Sequence, residues 1–275
     1  MRTTLIQSWK HIIAVAALCT AAASSPSYAA NDGEVFNENF PSGATLMEPS
    51  AYVQTGLVGH FDGIRNAGLG QAHDSSATTW ANLGSGGSAN NATLTSLGSS
   101  APSGSADGVW TDSGYYFKGK HYFAIGDVVN LDKAATVQLA TEWTTTIGDC
   151  DGVSWPLIFG GTSANADNFG IWHDKDALSV NFKVLENKKS AAASHWDGYF
   201  LNAVYDGANS KYSLTKNTSY NWMTGGANGS IKGSNTKYAI GTAQNTNAEK
   251  KKRMFKGIVK SVRIYDRILT TDELA

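Results

Sequence analysis

The chain has 275 residues, 29 of them glycine, and a formal net charge of −1 at pH 7. This balance lacks the excess of Lys and Arg with which proteins neutralise nucleic acid backbones, so nucleic acid is not an expected partner. The basic run at residues 250–253 is short and local, which is typical of a solvated loop.

The first 29 residues have the organisation of a secretory signal peptide. Arg2 and Lys10 give a positive start, residues 12–23 form a short apolar run, and Ser27 and Ala29 are the small residues that a signal peptidase recognises. We expect cleavage after Ala29 and a mature protein that is secreted, periplasmic or held at the cell surface. The apolar run is shorter than the roughly 20 residues that span a bilayer, and no second run follows, so we expect no membrane insertion after cleavage.

Cleavage changes the cysteine and charge inventories. It removes Cys19 and leaves Cys150 as the single cysteine, so no internal disulfide is expected. It also leaves 20 basic against 23 acidic residues, a net charge of −3. We divide the mature chain into a polar leader, residues 30–51, and a single domain, residues 52–275, which is long enough to bury a large core without disulfides.

The domain alternates strand patterns with turn signals. Residues 177–184 alternate apolar and polar side chains, which predicts a strand with one buried and one solvated face. Residues 137–143 alternate in the same way and place Gln138 on the solvated side. Clusters of Gly, Asn, Asp and Ser separate such runs, and no βαβ rhythm is present. The predicted fold is therefore all-β, with two antiparallel sheets packed face to face as a β-sandwich.

The C-terminal segment combines a strand with a helix start. Ile258, Val262 and Ile264 are predicted to share one buried face, interrupted only by Lys260. Residues 270–273 (Thr-Thr-Asp-Glu) then form a capping box, in which the last carboxylate reaches back to the first backbone N–H, and this predicts a short C-terminal helix.

Four stretches of the domain carry a family resemblance. They are residues 56–63 (GLVGHFDG), 79–83 (TWANL), 200–207 (FLNAVYDG) and 255–269 (FKGIVKSVRIYDRIL). Together they resemble the bacterial laminin-G-like (LamG) jelly-roll domains of the concanavalin A-like lectin/glucanase superfamily. The resemblance implies a concanavalin A-like jelly roll; such relatives bind carbohydrate or protein, some with calcium, and some cleave glycans.

Catalytic motifs are missing from the sequence. Glycan-cleaving relatives on this fold carry Glu-x-Asp-x-x-Glu on one strand, where alternate carboxylates point into one cleft as proton donor and nucleophile. The sequence contains no such triplet, and it contains neither a Gly-x-Ser-x-Gly nor a His-Glu-x-x-His motif. No catalytic residue is assigned, and a non-catalytic protein is favoured.

One segment has part of the pattern of a calcium loop. Asp149 and Asp151 stand one residue apart, directly before Gly152, and carboxylate oxygens are the ligands that Ca²⁺ prefers. The following residues do not supply the further oxygens that a complete loop needs. Asp149 and Asp151 are therefore candidate calcium ligands, with a plain turn as the alternative.

Two short segments place a tryptophan beside a carboxylate. These are residues 172–174 (Trp-His-Asp) and 195–197 (His-Trp-Asp), each at the predicted junction of a strand and a turn. A ring face covers the apolar C–H surface of a sugar while the neighbouring carboxylate accepts hydrogen bonds from its hydroxyls. Four residues are thus candidate ligand contacts, with a purely structural role as the alternative: Trp172, Asp174, Trp196 and Asp197.

The other tryptophans divide into two groups. Trp80, Trp143 and Trp155 lie in strand-like runs and are predicted to be core residues, whereas Trp110 and Trp222 are compatible with either environment. The sequence as a whole predicts a secreted, non-catalytic module that binds a glycan. The alternatives are a protein-binding or adhesive module of the cell envelope, whose partner is an extracellular protein, and a divergent glycoside hydrolase.

Overall fold

The computed structural model describes thirteen parts of the chain: residues 47–100, 107–126, 131–142, 157–162, 169–174, 179–184, 187–192, 199–215, 220, 222–224, 231, 237–242 and 254–274. Over these residues the backbone forms two antiparallel β-sheets. Apolar side chains from both sheets meet in one core. The predicted β-sandwich is thereby confirmed.

The strands are, in chain order, β1 (Leu57–Asp62), β2 (Thr79–Trp80), β3 (Ala92–Ser96), β4 (Val109–Thr111), β5 (Gly114–Lys118), β6 (His121–Ile125), β7 (Ala134–Glu142), β8 (Leu157–Thr162), β9 (Phe169–Asp174), β10 (Ser179–Val184), β11 (Asn187–Ala192), β12 (Tyr199–Asp206), β13 (Lys211–Thr215), β14 (Trp222–Thr224), β15 (Lys237–Ile240) and β16 (Lys256–Tyr265). Short 3₁₀ turns cover Pro49–Ala51, Ser88–Asn90, Gly98–Ser100 and Thr271–Glu273. Among the described residues, none of the helical segments is long and apolar enough to cross a membrane.

The strands divide equally between the two sheets within the described residues. Sheet A has the order β14-β13-β12-β7-β16-β5-β4, and β1 pairs with the C-terminal half of β16 beside this path. Sheet B has the order β11-β10-β9-β8-β15-β6-β3-β2. We call the side of each sheet that points away from the other sheet its outer face.

An aromatic cluster fills one end of the core. The indole of Trp80 contacts Trp110 edge to face at 5.0 Å between ring centroids, and Phe123 at 5.4 Å. Both indole N–H groups are satisfied, since Trp80 donates to the carbonyl of Asp62 and Trp110 donates to that of Ala77. The core prediction for Trp80 is confirmed, and Trp110 joins the same core. Trp143 and Trp155 lie outside the described residues.

A β-bulge in β16 changes the face on which one predicted core residue lies. Val259 pairs with Thr141 and Ser261 pairs with the preceding residue of β7, so Lys260 is an extra residue in β16. An extra residue reverses the side to which the preceding side chains point. Val262 and Ile264 are fully buried, as predicted, but Val259 takes the core position and Ile258 is only half-buried. The prediction that Ile258 shares their face is wrong.

The outer face of sheet A is covered rather than solvated. Gln138 is only 2% exposed and donates a hydrogen bond from Nε2 to Oδ1 of Asn202 at 2.8 Å, so its predicted exposure to solvent is wrong. Tyr52, from the segment that precedes β1, is buried against this face. Beside it a small apolar cluster joins β1 and β16 to the C-terminal segment; its fully buried members are Leu57, Tyr265, Leu269 and Leu274.

The C-terminal residues form the predicted cap. The carboxylate of Glu273 accepts a hydrogen bond from the backbone N–H of Thr270 at 2.9 Å and forms a two-point ion pair with Arg267. The short helix is a single 3₁₀ turn in the described residues. Residues 47–51, the described part of the predicted leader, also form a 3₁₀ turn, in which Pro49 is buried.

Candidate functional site

Strand β9 places Trp172 on the outer face of sheet B. Phe169 and Ile171 are fully buried in the core, and side chains alternate along a strand, so Gly170 and Trp172 point outward. Trp172 is partly exposed. Asp174, the second predicted contact on this strand, is its last residue and pairs with Ser179 of β10.

Asn181 lies beside Trp172 on the same face. The two residues are direct cross-strand partners, and Asn181 is flanked by the core residues Val180 and Phe182. Although it is on the outer face, Asn181 is 0% exposed. The prediction of a solvated face for residues 177–184 is therefore wrong at its centre.

Small residues form a level surface next to Trp172, which we call the floor. It crosses five neighbouring strands of sheet B in one row of directly paired residues. The members of this row are Gly170, Gly160, Ala239, Ala124 and Thr93. Only Thr93 carries a side chain longer than a methyl group. Gly170, Gly160 and Ala239 are nevertheless buried, so the row is accessible only at Ala124 and Thr93.

Tyr122 stands at the far side of the floor. It is two residues from Ala124 on β6, so it shares the outer face, and it pairs with Thr95 of β3. Its ring is half-buried, and burial raises the pKa of its hydroxyl, an effect that its side-chain hydrogen bond with Thr95 reduces. The strand order β9-β8-β15-β6 puts three strand spacings, about 14 Å, between the backbones that carry Trp172 and Tyr122.

The register places these two aromatic residues in the same row. Gly170 is joined to Ala124 through directly paired residues on β8 and β15. Trp172 lies two residues after Gly170 on β9, and Tyr122 lies two residues before Ala124 on β6. Because β9 and β6 run in opposite directions, both rings are displaced from the floor towards the same end of the sheet. Two partly exposed rings therefore lie on the same side of the floor, whose central residues Gly160 and Ala239 are buried.

The remaining predicted contacts lie outside the described residues. These are Trp196 and Asp197, and the candidate calcium ligands Asp149 and Asp151. Whether the two tryptophan segments meet thus stays a prediction. Over the residues that the structure does describe, His, Cys, Asp and Glu side chains form no group of three or more that could hold a metal ion.

Sequence reasoning missed Tyr122 and the floor. Residues 121–125 alternate, with Phe123 and Ile125 in the core, and this signal alone assigns Tyr122 to an outer face. The floor was not predictable, because Ala239, which joins Gly160 to Ala124, comes from a strand distant in sequence from both.

Comparison with known proteins supports the fold. No family model and no curated protein matches the chain. Among solved structures, it is similar to a mutant of Trypanosoma rangeli sialidase displaying trans-sialidase activity, with 14% identity and a TM-score of 0.53 over 85% of this chain and 34% of the sialidase. A complex of that sialidase with sialic acid gives 15% identity and a TM-score of 0.50, covering 86% of this chain and 34% of that one.

A separate domain is also similar to this chain. It is domain 4 of a GH43 extracellular arabinanase from Geobacillus stearothermophilus in complex with arabinotriose, with 14% identity and a TM-score of 0.49 over 81% of this chain and 98% of that domain. The chain spans about a third of the length of the sialidases. At such identities the likeness shows the fold alone: a β-sandwich compatible with a jelly-roll or concanavalin A-like architecture. The more specific laminin-G-like resemblance stays a prediction.

Proposed function

We propose that the protein is a secreted, non-catalytic module that binds carbohydrate on the outer face of sheet B. The observation that carries the proposal is the row in which Trp172 and Tyr122 border a floor of Gly and Ala residues. Ring faces pack against the C–H surface of sugars, and the accessible part of the floor beside Tyr122, at Ala124 and Thr93, carries only short side chains. Secretion is supported by the N-terminal signal pattern that ends at Ala29.

The margin of the floor supplies groups for the polar side of a sugar. Thr93 is exposed at the end of the row, Thr95 is partly exposed beside Tyr122, and both carry hydroxyls that donate and accept hydrogen bonds. Apolar stacking surface and hydroxyl partners on one face are the combination that carbohydrate recognition uses. Asp174, the last residue of β9, remains a proposed contact, as do Trp196 and Asp197, which lie outside the described residues.

The test is a glycan array followed by calorimetry on the mature chain, with and without calcium because of the proposed ligands Asp149 and Asp151. For the best glycan, Trp172→Ala and Tyr122→Ala should each weaken binding by about 1–3 kcal/mol, or about 5- to 150-fold. Trp196→Ala is measured alongside. The matched control is Trp222→Ala, since Trp222 is a partly buried aromatic residue of sheet A and its loss should leave the affinity unchanged.

Thermal melts of the same variants separate binding from folding. Weaker binding by variants that melt like the parent supports the site, whereas parallel loss of both would make Trp172 a structural residue. Unchanged affinity in folded Trp172→Ala and Tyr122→Ala would place the glycan elsewhere. An array without hits would favour an envelope protein as partner, and consumption of the glycan over time would favour a glycoside hydrolase.

A further inference from the structure

The outer face of sheet A buries an arginine between aromatic rings. Arg263 lies between the core residues Val262 and Ile264 on β16, so its side chain points to the outer face. The residue is 5% exposed. Its guanidinium carbon lies 3.8 Å from the ring centroid of Tyr52 and 5.2 Å from that of Phe200.

This arginine differs from its neighbours in having no anionic partner. Arg65 is paired with Asp62, and Arg267 is paired with Glu273. Among the residues that the structure describes, Arg263 has neither an ion pair nor a hydrogen-bond acceptor, and its described contacts are the two rings. Aromatic rings stabilise a cation in part, but they leave the N–H groups at its edge without acceptors. The site therefore carries a largely buried positive charge without an ion pair in the described residues. The buried carboxylate of Asp62, which is paired with Arg65, lies on the same face, as the cross-strand partner of Ser261.

His60 and Ser261 add two further unsatisfied polar groups on the same face. His60 is the direct cross-strand partner of Arg263, and Ser261 precedes Arg263 by two residues. Both are buried, and among the described residues neither ring nitrogen of His60 nor Oγ of Ser261 has a hydrogen-bond partner. Burial, together with the positive charges of Arg263 and Arg65, lowers the pKa of His60 to about 3. The imidazole is thus neutral at pH 7 and has one N–H to donate.

We propose that Arg263, His60 and Ser261 form a binding site for an oxyanion, namely a carboxylate or a sulfate group carried by a ligand. The planar guanidinium presents paired N–H donors that match the two oxygens of either group, and the neighbouring imidazole and hydroxyl supply further donors. An anion would neutralise the unpaired charge and satisfy the donors at once. The site is separate from the floor of sheet B and does not depend on glycan binding there.

Tyr52 closes this site on the solvent side. Its ring packs edge to face against His60 at 5.3 Å and covers the guanidinium of Arg263. It belongs to residues 47–55, a segment whose Glu48 forms an ion pair with Arg65 in the turn that follows β1. A ligand must reach the edge of the guanidinium past this segment, which favours a small anionic group over a bulky one.

The test follows the Nε–H resonances of the arginines by ¹⁵N NMR in the mature chain. Sodium acetate and sodium sulfate are titrated separately, against sodium chloride at equal ionic strength. The Arg263 resonance should shift saturably with acetate, sulfate or both, while Arg65 and Arg267 serve as internal references. Saturation with acetate alone defines a carboxylate site, and saturation with sulfate alone defines a sulfate site. Shifts that are equal in chloride, or that fail to saturate, would overturn the proposal.

Variants connect the shift to the proposed groups. Arg263→Lys keeps the charge but loses the planar fork, so the affinity for the anion should fall at least tenfold, as measured by calorimetry. His60→Phe keeps the ring volume and removes the N–H donor, and its affinity for the anion should fall several-fold. This variant tests the site if Arg263→Lys does not fold. Arg267→Gln, which removes an already paired cation, should bind like the parent. Parental affinity in folded Arg263→Lys or His60→Phe would contradict the site.

Discussion

The β-bulge of β16 makes two isoleucines of one strand unequal, and their truncation tests this directly. Ile264 is fully buried, and Ile258, on the other side of the bulge, is half-buried. Ile264→Ala removes three carbon groups, about 2.5 kcal/mol of transfer free energy. The cavity left behind increases the loss of stability, because Ile264 packs against the backbone of Gly59. A Cβ built on Gly59 would lie 3.1 Å from Cδ1 of Ile264, and glycine has no side chain that could fill the gap. We expect a total loss of about 3–5 kcal/mol.

The matched control is the same change at the half-buried position. Ile258→Ala should cost about 1 kcal/mol, since its side chain leaves water only in part. The assay is urea unfolding of the mature chain, followed by tryptophan fluorescence, with the dependence on denaturant required to stay constant between variants. Equal losses for the two variants would mean that both side chains share one face, and the bulge at Lys260 would then be refuted.

Three further predictions concern packing, pH and redox state. Gly63→Ala should lower the free energy of unfolding in urea by about 3 kcal/mol, because the new Cβ would lie 2.4 Å from the Cα of Gly114. In Gly70→Ala the new Cβ meets nothing within 4 Å, so the loss should be only about 1 kcal/mol, from the left-handed backbone. Similar losses for the two variants would contradict the close contact at Gly63. The hydrogen-bonded ion pair with Arg267 lowers the pKa of Glu273 to about 2, so this carboxylate contributes stability above its unfolded pKa of about 4.3 that is lost as the pH falls towards 2. The parent should therefore exceed Glu273→Gln in stability at pH 7 but match it at pH 2, and a difference that persists in acid would exclude the ion pair as its cause. Reducing agent should leave the melting temperature of the monomer unchanged, because removal of the predicted signal peptide leaves Cys150 as the single cysteine. A drop of several degrees would show an unexpected bridge.

The sequence patterns predicted the elements that depend on local order. Alternation identified Val262 and Ile264 as core residues, and the spacing of Thr270 and Glu273 identified the C-terminal cap. In both cases the signal lies within a few residues of chain. The wrong assignment of Ile258 has an equally definite cause, because a single inserted residue reverses the face and leaves no mark on composition.

Burial of the outer faces was beyond the reach of local patterns. A polar residue between two core residues must point away from the core, but this does not establish that water is there. Gln138 and Asn202 are buried as a hydrogen-bonded pair on sheet A, and Tyr52 closes a neighbouring part of that face. The assignment of Trp172 to the outer face needed only the pattern of β9, whereas its relation to Tyr122 needed the order of four strands.

The two proposed sites lie on opposite outer faces of the sandwich. On sheet A, residues 47–55 help to close a desolvated polar region that offers little exposed surface but a strong local field, since charges interact more strongly out of water. On sheet B, the proposed glycan site has two partly exposed rings, Trp172 and Tyr122, on strands three spacings apart. If the faces act separately, Trp172→Ala should leave the acetate or sulfate titration of Arg263 unchanged, and His60→Phe should leave glycan affinity unchanged. Loss of both activities in either folded variant would instead require one ligand to couple the two sheets through the core.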